Sequence, residues 1–170
     1  MRDLIKEAKR KDPDAFMELM QQHMQSMYKV SRSILHSDED VADAIQDTIL
    51  ACWEKLPQLN EEKYFKTWMI RILVNKCNDL IRKKELLQGT AELTEEGNYD
   101  REYENVEWKE VLESLEEKYR LILMLYYVES LTTKEIGKVL DIPEATVRTR
   151  LTRGRSRLSE SYLGKAEGRG

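Results

Sequence analysis

Residues 131–158 read LTTKEIGKVLDIPEATVRTRLTRGRSRL, a pattern of two helices with a tight break between them. Thr132-Thr133-Lys134-Glu135 is a capping-box signature: a hydroxyl and a carboxylate three residues on satisfy backbone N–H groups reciprocally. It opens a short helix carrying Ile136, Val139 and Leu140, which Asp141-Ile142-Pro143 stops. A second helix runs from about Pro143 to Tyr162. At about 100° per residue, Leu151, Gly154 and Leu158 fall within roughly 40° of Val147, which makes one buried stripe. The opposite face holds Ala145, Thr149, Thr152 and Ser156, flanked by Arg148 and Arg153.

This layout predicts a helix-turn-helix, whose second helix enters the major groove. Small and hydroxylated side chains permit close approach to base edges, and flanking arginines fork onto guanine or grip phosphates. The candidate duplex contacts are therefore Glu144, Ala145, Thr146, Arg148, Thr149, Thr152 and Arg153. Arg150, Arg155 and Arg157 lie on the sides, better placed for phosphates or an acidic protein surface. An ordinary solvated helix would share the arginines, but not the capped short helix, the break and the small-residue face.

Upstream, the helical signals begin where Asp12 can cap and Pro13 suits the first helical position. Phe16, Leu19, Met20, Met24, Met27 and Val30 or Ser31 then recur near a 3.6 period. A second helix opens at Ser37 with three carboxylates in its first turn. It carries Val41, Ile45, Ile49, Cys52 or Trp53, and Leu56 before Pro57 ends it. A loop, Leu59 to Lys63, precedes a third helix from about Tyr64 to Lys84, with Phe65, Trp68, Met69, Ile72, Leu73, Cys77 and Leu80 inward. Gln88 to Tyr103 shows no stable period and reads as a flexible acidic linker. Helices resume near Glu104. Ser114-Leu115-Glu116-Glu117 either caps the apolar run Tyr119–Val128 or lies inside one longer helix. The expected fold is all-α: residues 1–84 as one small helical domain, 85–103 as linker, 104–170 as a second.

Charge supports that division. The net charge is −4, yet residues 85–117 hold 2 basic and 12 acidic side chains, while 131–170 hold 9 basic and 5 acidic. A basic end behind an acidic middle implies two surfaces with different partners. With 41% apolar and 35% charged residues, two small cores suit the chain better than one large one. No apolar run reaches the roughly 18 residues needed to span a bilayer, and the N-terminus lacks an apolar signal region. Cys52 and Cys77 sit in helical patterns without CxxC or metal spacing, as packed reduced thiols of a cytoplasmic protein or, less simply, a disulfide or a redox pair.

Leu115-Glu116-Glu117-Lys118-Tyr119-Arg120, Tyr126-Tyr127-Val128-Glu129-Ser130-Leu131-Thr132, Glu135-Ile136-Gly137 and Ile142 through Leu151 resemble region 4 of extracytoplasmic-function (ECF) sigma factors. Asp38 through Thr48 resembles their region 2.2, and Lys66 through Lys76 their regions 2.3 and 2.4. The resemblance spans most of the chain except the linker and both ends. It implies a dissociable RNA polymerase subunit that recognises promoters: region 2 in residues 1–84, for core binding and −10 recognition and melting, and region 4 in 104–170, for −35 recognition. The helix from Asp38 would dock on the β′ clamp helices through Asp40, Asp43, Gln46, Asp47 and Trp53. The resemblance further implies that Lys63, Tyr64, Trp68, Arg71 and Asn75 hold the melted −10 strand, since capture of a single strand needs aromatic platforms and cations. Trp68 suits a platform or a core position equally; Phe65 reads as core. A flipped base would enter the loop at 59–63, where Glu61 and Glu62 leave open which residues touch it.

The linker would thread toward the polymerase's RNA channel, as a nucleic-acid mimic or a solubilising tether. The remaining implied partners are the β flap, promoter DNA and an anti-sigma factor, with no membrane insertion, small-molecule substrate, cofactor or metal. The carboxylates Glu39, Asp40, Asp43 and Asp47 lack the ExxH pairing of dimetal bundles. His23 and His36 are the only histidines, and no phosphate-binding glycine pattern occurs, which speaks against an enzyme. A free-standing dimeric regulator and a helical adaptor are the competing readings.

Overall fold

A computed structural model of the chain describes residues 2–88, 110 and 112–167. Every regular element among them is helical. They fall into two units, Met1–Gly97 and Asn98–Gly170. Glu92, Glu95 and Glu96 of the linker, and Val106 beyond it, lie outside the described residues. No helix among the described residues is long and apolar enough to cross a membrane.

The first unit opens on a helix absent from the sequence reading: α1, Arg2–Lys9. At eight residues it carries only Leu4, Ile5 and Ala8 as a stripe, of which Ile5 and Ala8 are buried. α2, Pro13–Ile34, starts as expected, with the Asp12 carboxylate accepting from Asp14 N (3.0 Å) and Ala15 N (3.3 Å). One expected core residue is wrong. Met24 is exposed, and His23 is buried in its place. His23 lies roughly 20° from Phe16 around the helix and Met24 roughly 80°, so geometry outweighs polarity. The imidazole can be buried because Nδ1 bonds the Leu19 carbonyl (3.0 Å) and the ring stands edge-on to Phe65, 5.1 Å between centroids.

α3, Asp38–Lys55, is capped by Ser37, whose Oγ accepts from Asp40 N at 3.1 Å. Its buried stripe is Val41, Ala44, Ile45, Thr48, Ala51 and Cys52; the Thr48 hydroxyl donates to the Ala44 carbonyl at 2.7 Å. Ile49 and Trp53 are only half-buried. Short 3₁₀ turns at Leu56–Gln58 and Glu62–Tyr64 frame the loop before α4, Phe65–Gln88. α4 runs four residues past Lys84, into the stretch assigned to the linker. It buries Ile70 and Val74 with Phe65, Met69, Leu73 and Cys77, while Trp68, Ile72 and Leu80 stay half-buried. α2, α3 and α4 pack on one another around these residues.

In the second unit α5, Glu117–Leu123, continues into a π-helical turn, Met124–Val128. Ser114 neither caps α5 nor lies inside one longer helix: Glu116 holds the N-cap without a side-chain bond, and Ser114 ends the preceding helical stretch, 112–114. Leu115 and Glu116, non-helical, separate the two, so the local break outranks the signature. α6, Thr133–Leu140, does begin with the expected box, Glu135 N to Thr132 Oγ1 (3.1 Å) and Thr132 N to Glu135 Oε1 (3.1 Å). Asp141, left-handed at φ 56°, closes it, and α7, Glu144–Glu167, follows. Gly137 brings the two together: a Cβ there would stand 2.9 Å from the Ile142 carbonyl oxygen. At Gly154, where α5 meets α7, a Cβ would make only ordinary van der Waals contact with Leu123 Cγ (3.4 Å) and Tyr119 Cβ (3.5 Å).

An alanine in a helix interior ordinarily gains about 1 kcal/mol over glycine. At Gly137 the backbone clash dominates, so Gly137→Ala destabilises the second unit by about 1–3 kcal/mol. Urea denaturation followed by circular dichroism measures it. Cys52 and Cys77 are buried and not joined by a disulfide; burial pushes the Cys52 thiol up to about 12. Both thiols therefore resist alkylation in native buffer and react only at the unfolding transition, as mass spectrometry of labelled peptides will show.

Candidate nucleic-acid interface

α7 divides as its sequence angles predict. Val147, Leu151 and Gly154 are buried and Leu158 is half-buried, whereas Ala145, Arg148, Thr149, Thr152, Arg153 and Ser156 are exposed. Thr149 Oγ1 donates to the Ala145 carbonyl and Thr152 Oγ1 to the Arg148 carbonyl, both at 3.0 Å. Each hydroxyl proton is thus committed inward, leaving oxygen lone pairs and a methyl group on the open face. Acceptors and methyls suit exocyclic amines and the thymine methyl.

Glu144 and Thr146 are half-buried rather than outward. Glu144 Oε1 accepts from Thr133 Oγ1 and from Arg148 Nη2, each at 2.8 Å, and so ties the first turn of α6 to that of α7. The Thr133 hydrogen bond, opposed by desolvation and aided by the charge and hydrogen bond of Arg148 and the charge of Lys134, holds the Glu144 carboxyl below the usual carboxylate range. Arg148 is accordingly pre-oriented along α7. Two of the three side arginines, Arg155 and Arg157, are engaged within the unit. Arg155 Nε donates to Tyr127 Oη at 2.6 Å, with its guanidinium 5.5 Å from both the Tyr126 and Tyr127 rings. Arg157 reaches Glu116 at 3.8 Å and lies over Tyr119. The acidic surface expected for these arginines includes the protein's own Glu116.

In the first unit, Tyr64, Trp68, Arg71 and Asn75 follow one another at helical spacing and form a single stripe from the loop along α4. Tyr64, Arg71 and Asn75 are exposed; Trp68 is half-buried against Phe65 (6.0 Å), and Phe65 is core. Lys63 stands 5.0 Å over the Tyr64 ring and 3.6 Å from Glu61.

The five α3 residues do not share one face. Asp43, Gln46 and Asp47 are exposed opposite the buried stripe. Asp40 is spent on Lys84 of α4 at 2.6 Å, its side chain 14% exposed. Trp53 packs edge-on against Phe16 at 5.0 Å beneath the Lys11 ammonium. Asp40 and Trp53 sit roughly 100–120° from Val41, at the edges of the core, and serve it. Sequence reasoning missed Leu50, 62% exposed between Gln46, Asp47 and Glu54. Its signal was legible: an apolar residue roughly 180° from Val41 points away from the core. Among the described residues no group of three or more His, Cys, Asp or Glu is placed to hold a metal ion.

One unit carries a helix-turn-helix, and the other a three-helix core with a stripe of aromatic, basic and amide side chains, the residue types that suit a nucleic-acid-reading helical protein. The Sigma-70 region 2 family model matches residues 19–86, and that of Sigma-70, region 4 matches residues 106–158. The ECF RNA polymerase sigma factor SigW of Bacillus subtilis (strain 168) is 30% identical over 173 residues, covering 91% of this chain and 92% of that protein. The structure of CnrH in complex with the cytosolic domain of CnrY is similar, with a TM-score of 0.69, 26% identity and 97% of each chain covered. The sigma factor RpoE, solved with the anti-sigma factor NepR from Bartonella quintana, shares the fold at a TM-score of 0.74 and 19% identity over 86% of this chain and 95% of that one. The chain belongs to the ECF RNA polymerase sigma factors, transcription initiation factors that bind core polymerase and direct it to promoters.

The division of the α3 carboxylates is testable by stability alone. Asp40→Ala and Lys84→Ala couple by about 0.2–1 kcal/mol in a double-mutant cycle, whereas Asp43→Ala stays within about 0.5 kcal/mol of the parent.

Proposed function

We propose that α7 reads the −35 duplex and that the Tyr64–Asn75 stripe holds the melted −10 strand. The outer face of α7 carries this reading: five small or hydroxylated and basic residues, Ala145, Arg148, Thr149, Thr152 and Arg153, stand exposed opposite a buried stripe. Arg148 and Arg153 are the guanine readers. Glu144 positions Arg148, and Thr146 supports the helix start. Lys63, Tyr64, Trp68, Arg71 and Asn75 supply the cations, ring faces and amide that a single strand requires. Asp43, Gln46, Asp47 and Leu50 dock on the polymerase β′ clamp helices, with an apolar centre in a polar rim. The second unit meets the β flap.

Residues 1–88 act as region 2 and residues 104–170 as region 4, joined by the acidic segment. The relatives CnrH and RpoE are solved with CnrY and the anti-sigma factor NepR. By analogy an anti-sigma factor sequesters this chain in the cytoplasm. The polymerase performs the chemistry; the subunit contributes differential binding.

Mixing the protein with core polymerase and a promoter library tests the reading. Stoichiometric core binding and promoter-dependent transcripts support it; operator binding without polymerase would mark a free-standing regulator instead. Arg148→Ala and Arg153→Ala each cost about 1–3 kcal/mol at promoters presenting their guanine and relax selection there. Arg155→Ala weakens every promoter similarly in the same transcription assay, because that side chain braces Tyr126 and Tyr127 rather than a base.

A further inference from the structure

The turn between α1 and α2 carries two lysines that reach back across the unit. Lys9 Nζ donates to the Leu59 carbonyl at 2.7 Å, and Lys9 is half-buried in doing so. Lys11 Nζ donates to the Trp53 carbonyl and sits 4.4 Å over the Trp53 ring. Both acceptors flank the same stretch of chain: Trp53 in the last turn of α3, Leu59 at the opening of the 59–63 loop. The Leu59 N–H closes the 3₁₀ turn onto the Leu56 carbonyl at 3.0 Å. Its carbonyl points out of that turn, and Lys9 anchors it. The Leu59 side chain is itself buried, so the loop is pinned at its first residue before Asn60 and Glu61 enter solvent.

Lys11 strengthens the case. It occupies the left-handed position that ends α1, at φ 68°, where Lys11 N bonds the Ala8 carbonyl (3.0 Å) and Asp12 N the Glu7 carbonyl (3.3 Å). Glycine is the default residue there, since a Cβ is disfavoured in that conformation. What a lysine adds at that strained position is the contact with Trp53. α1 also lies ahead of the matched region 2 span, 19–86.

We infer that the α1–α2 turn is a strap that sets the position of the 59–63 loop, with Lys9 a positioning residue for the promoter bases presented to that loop. The inference rests on the reading that this loop and the Tyr64 stripe receive the −10 strand. It predicts loss of base selection without loss of polymerase binding, which a staple for folding alone would not produce.

The test uses holoenzyme assembled from the full chain and core polymerase, transcribing promoters randomised over the −10 element. Lys9→Met keeps the aliphatic stem and removes the donor. It lowers selectivity at the loop's base position by about fivefold, the worth of one ordinary hydrogen bond. Core affinity and −35 preference stay unchanged, and Lys9→Arg restores the selectivity. Lys11→Gly suits the left-handed backbone, so it folds, and it shifts the same base preference. Equal loss at every promoter, with base preference intact, overturns the strap. Asn60→Ala and Tyr64→Ala separate the two readings. If they change −10 preference and Lys9→Met does not, the strap alone fails. If neither changes it, the loop is not the reader and both fail.

Discussion

The second unit depends on one approach between backbones. Ile142's carbonyl oxygen lies 2.9 Å from where a Cβ of residue 137 would stand, so only glycine lets α6 close on the start of α7. That contact sets the crossing of the two helices, and the Thr133–Glu144–Arg148 bonds then lock it from the outside. Everything α7 presents follows from its rotation about this point. With Val147 and Leu151 turned inward, Ala145, Thr149 and Thr152 have no direction left but outward. α7 also rests on Leu123 and Tyr119 of α5 at Gly154, where a Cβ would make only ordinary contact. One missing side chain, at Gly137, thereby helps fix which residues of α7 face outward.

Charge in this chain is used in two ways that composition cannot separate. Asp40 and Lys84 join α3 to α4; Arg157 and Glu116 join α7 to the start of α5; Arg155 braces two tyrosines. Asp43, Asp47, Arg153 and Arg71 point outward instead. Pairs exposed to this degree contribute about 0–1 kcal/mol, against roughly 1.5–3 kcal/mol for a fully buried Leu, Ile or Phe side chain. Burial at Leu19, Phe65, Ile70, Leu73 and Ile122 therefore carries stability, while the ion pairs chiefly select geometry.

Much of the fold was legible because caps and periodicity leave direct marks on sequence. Asp12, Ser37 and Thr132 all cap where expected, and the α7 stripe falls at its predicted angles. What was illegible has physical causes. α1 is too short to show a period. Met24 looked like core because residue type, not angle, was weighted. The Ser114 signature matched by type but met a break in the helix at Leu115–Glu116. The site was less legible than the fold, since α3 carries many carboxylates and only packing shows that Asp40 and Trp53 face internal partners. The resemblance supplied the roles; helical angle, applied to Leu50, would have supplied the face.

The same distinction resolves the acidic net charge. Affinity for a duplex scales with the number of phosphates neutralised, each adding about 0.9 to the slope of log affinity against log salt. α7 has six arginine or lysine side chains between Arg148 and Lys165, yet Arg155 and Arg157 are partly committed to Tyr127 and Glu116. The cations left for phosphate are few, and a net charge of −4 opposes approach to DNA. If α7 reads bases as proposed, it does so without the counterion-release term that would hold it on DNA alone. Under the proposed reading, polymerase supplies that missing affinity, so selectivity is expressed only when the outward faces of α3 and α7 are engaged together.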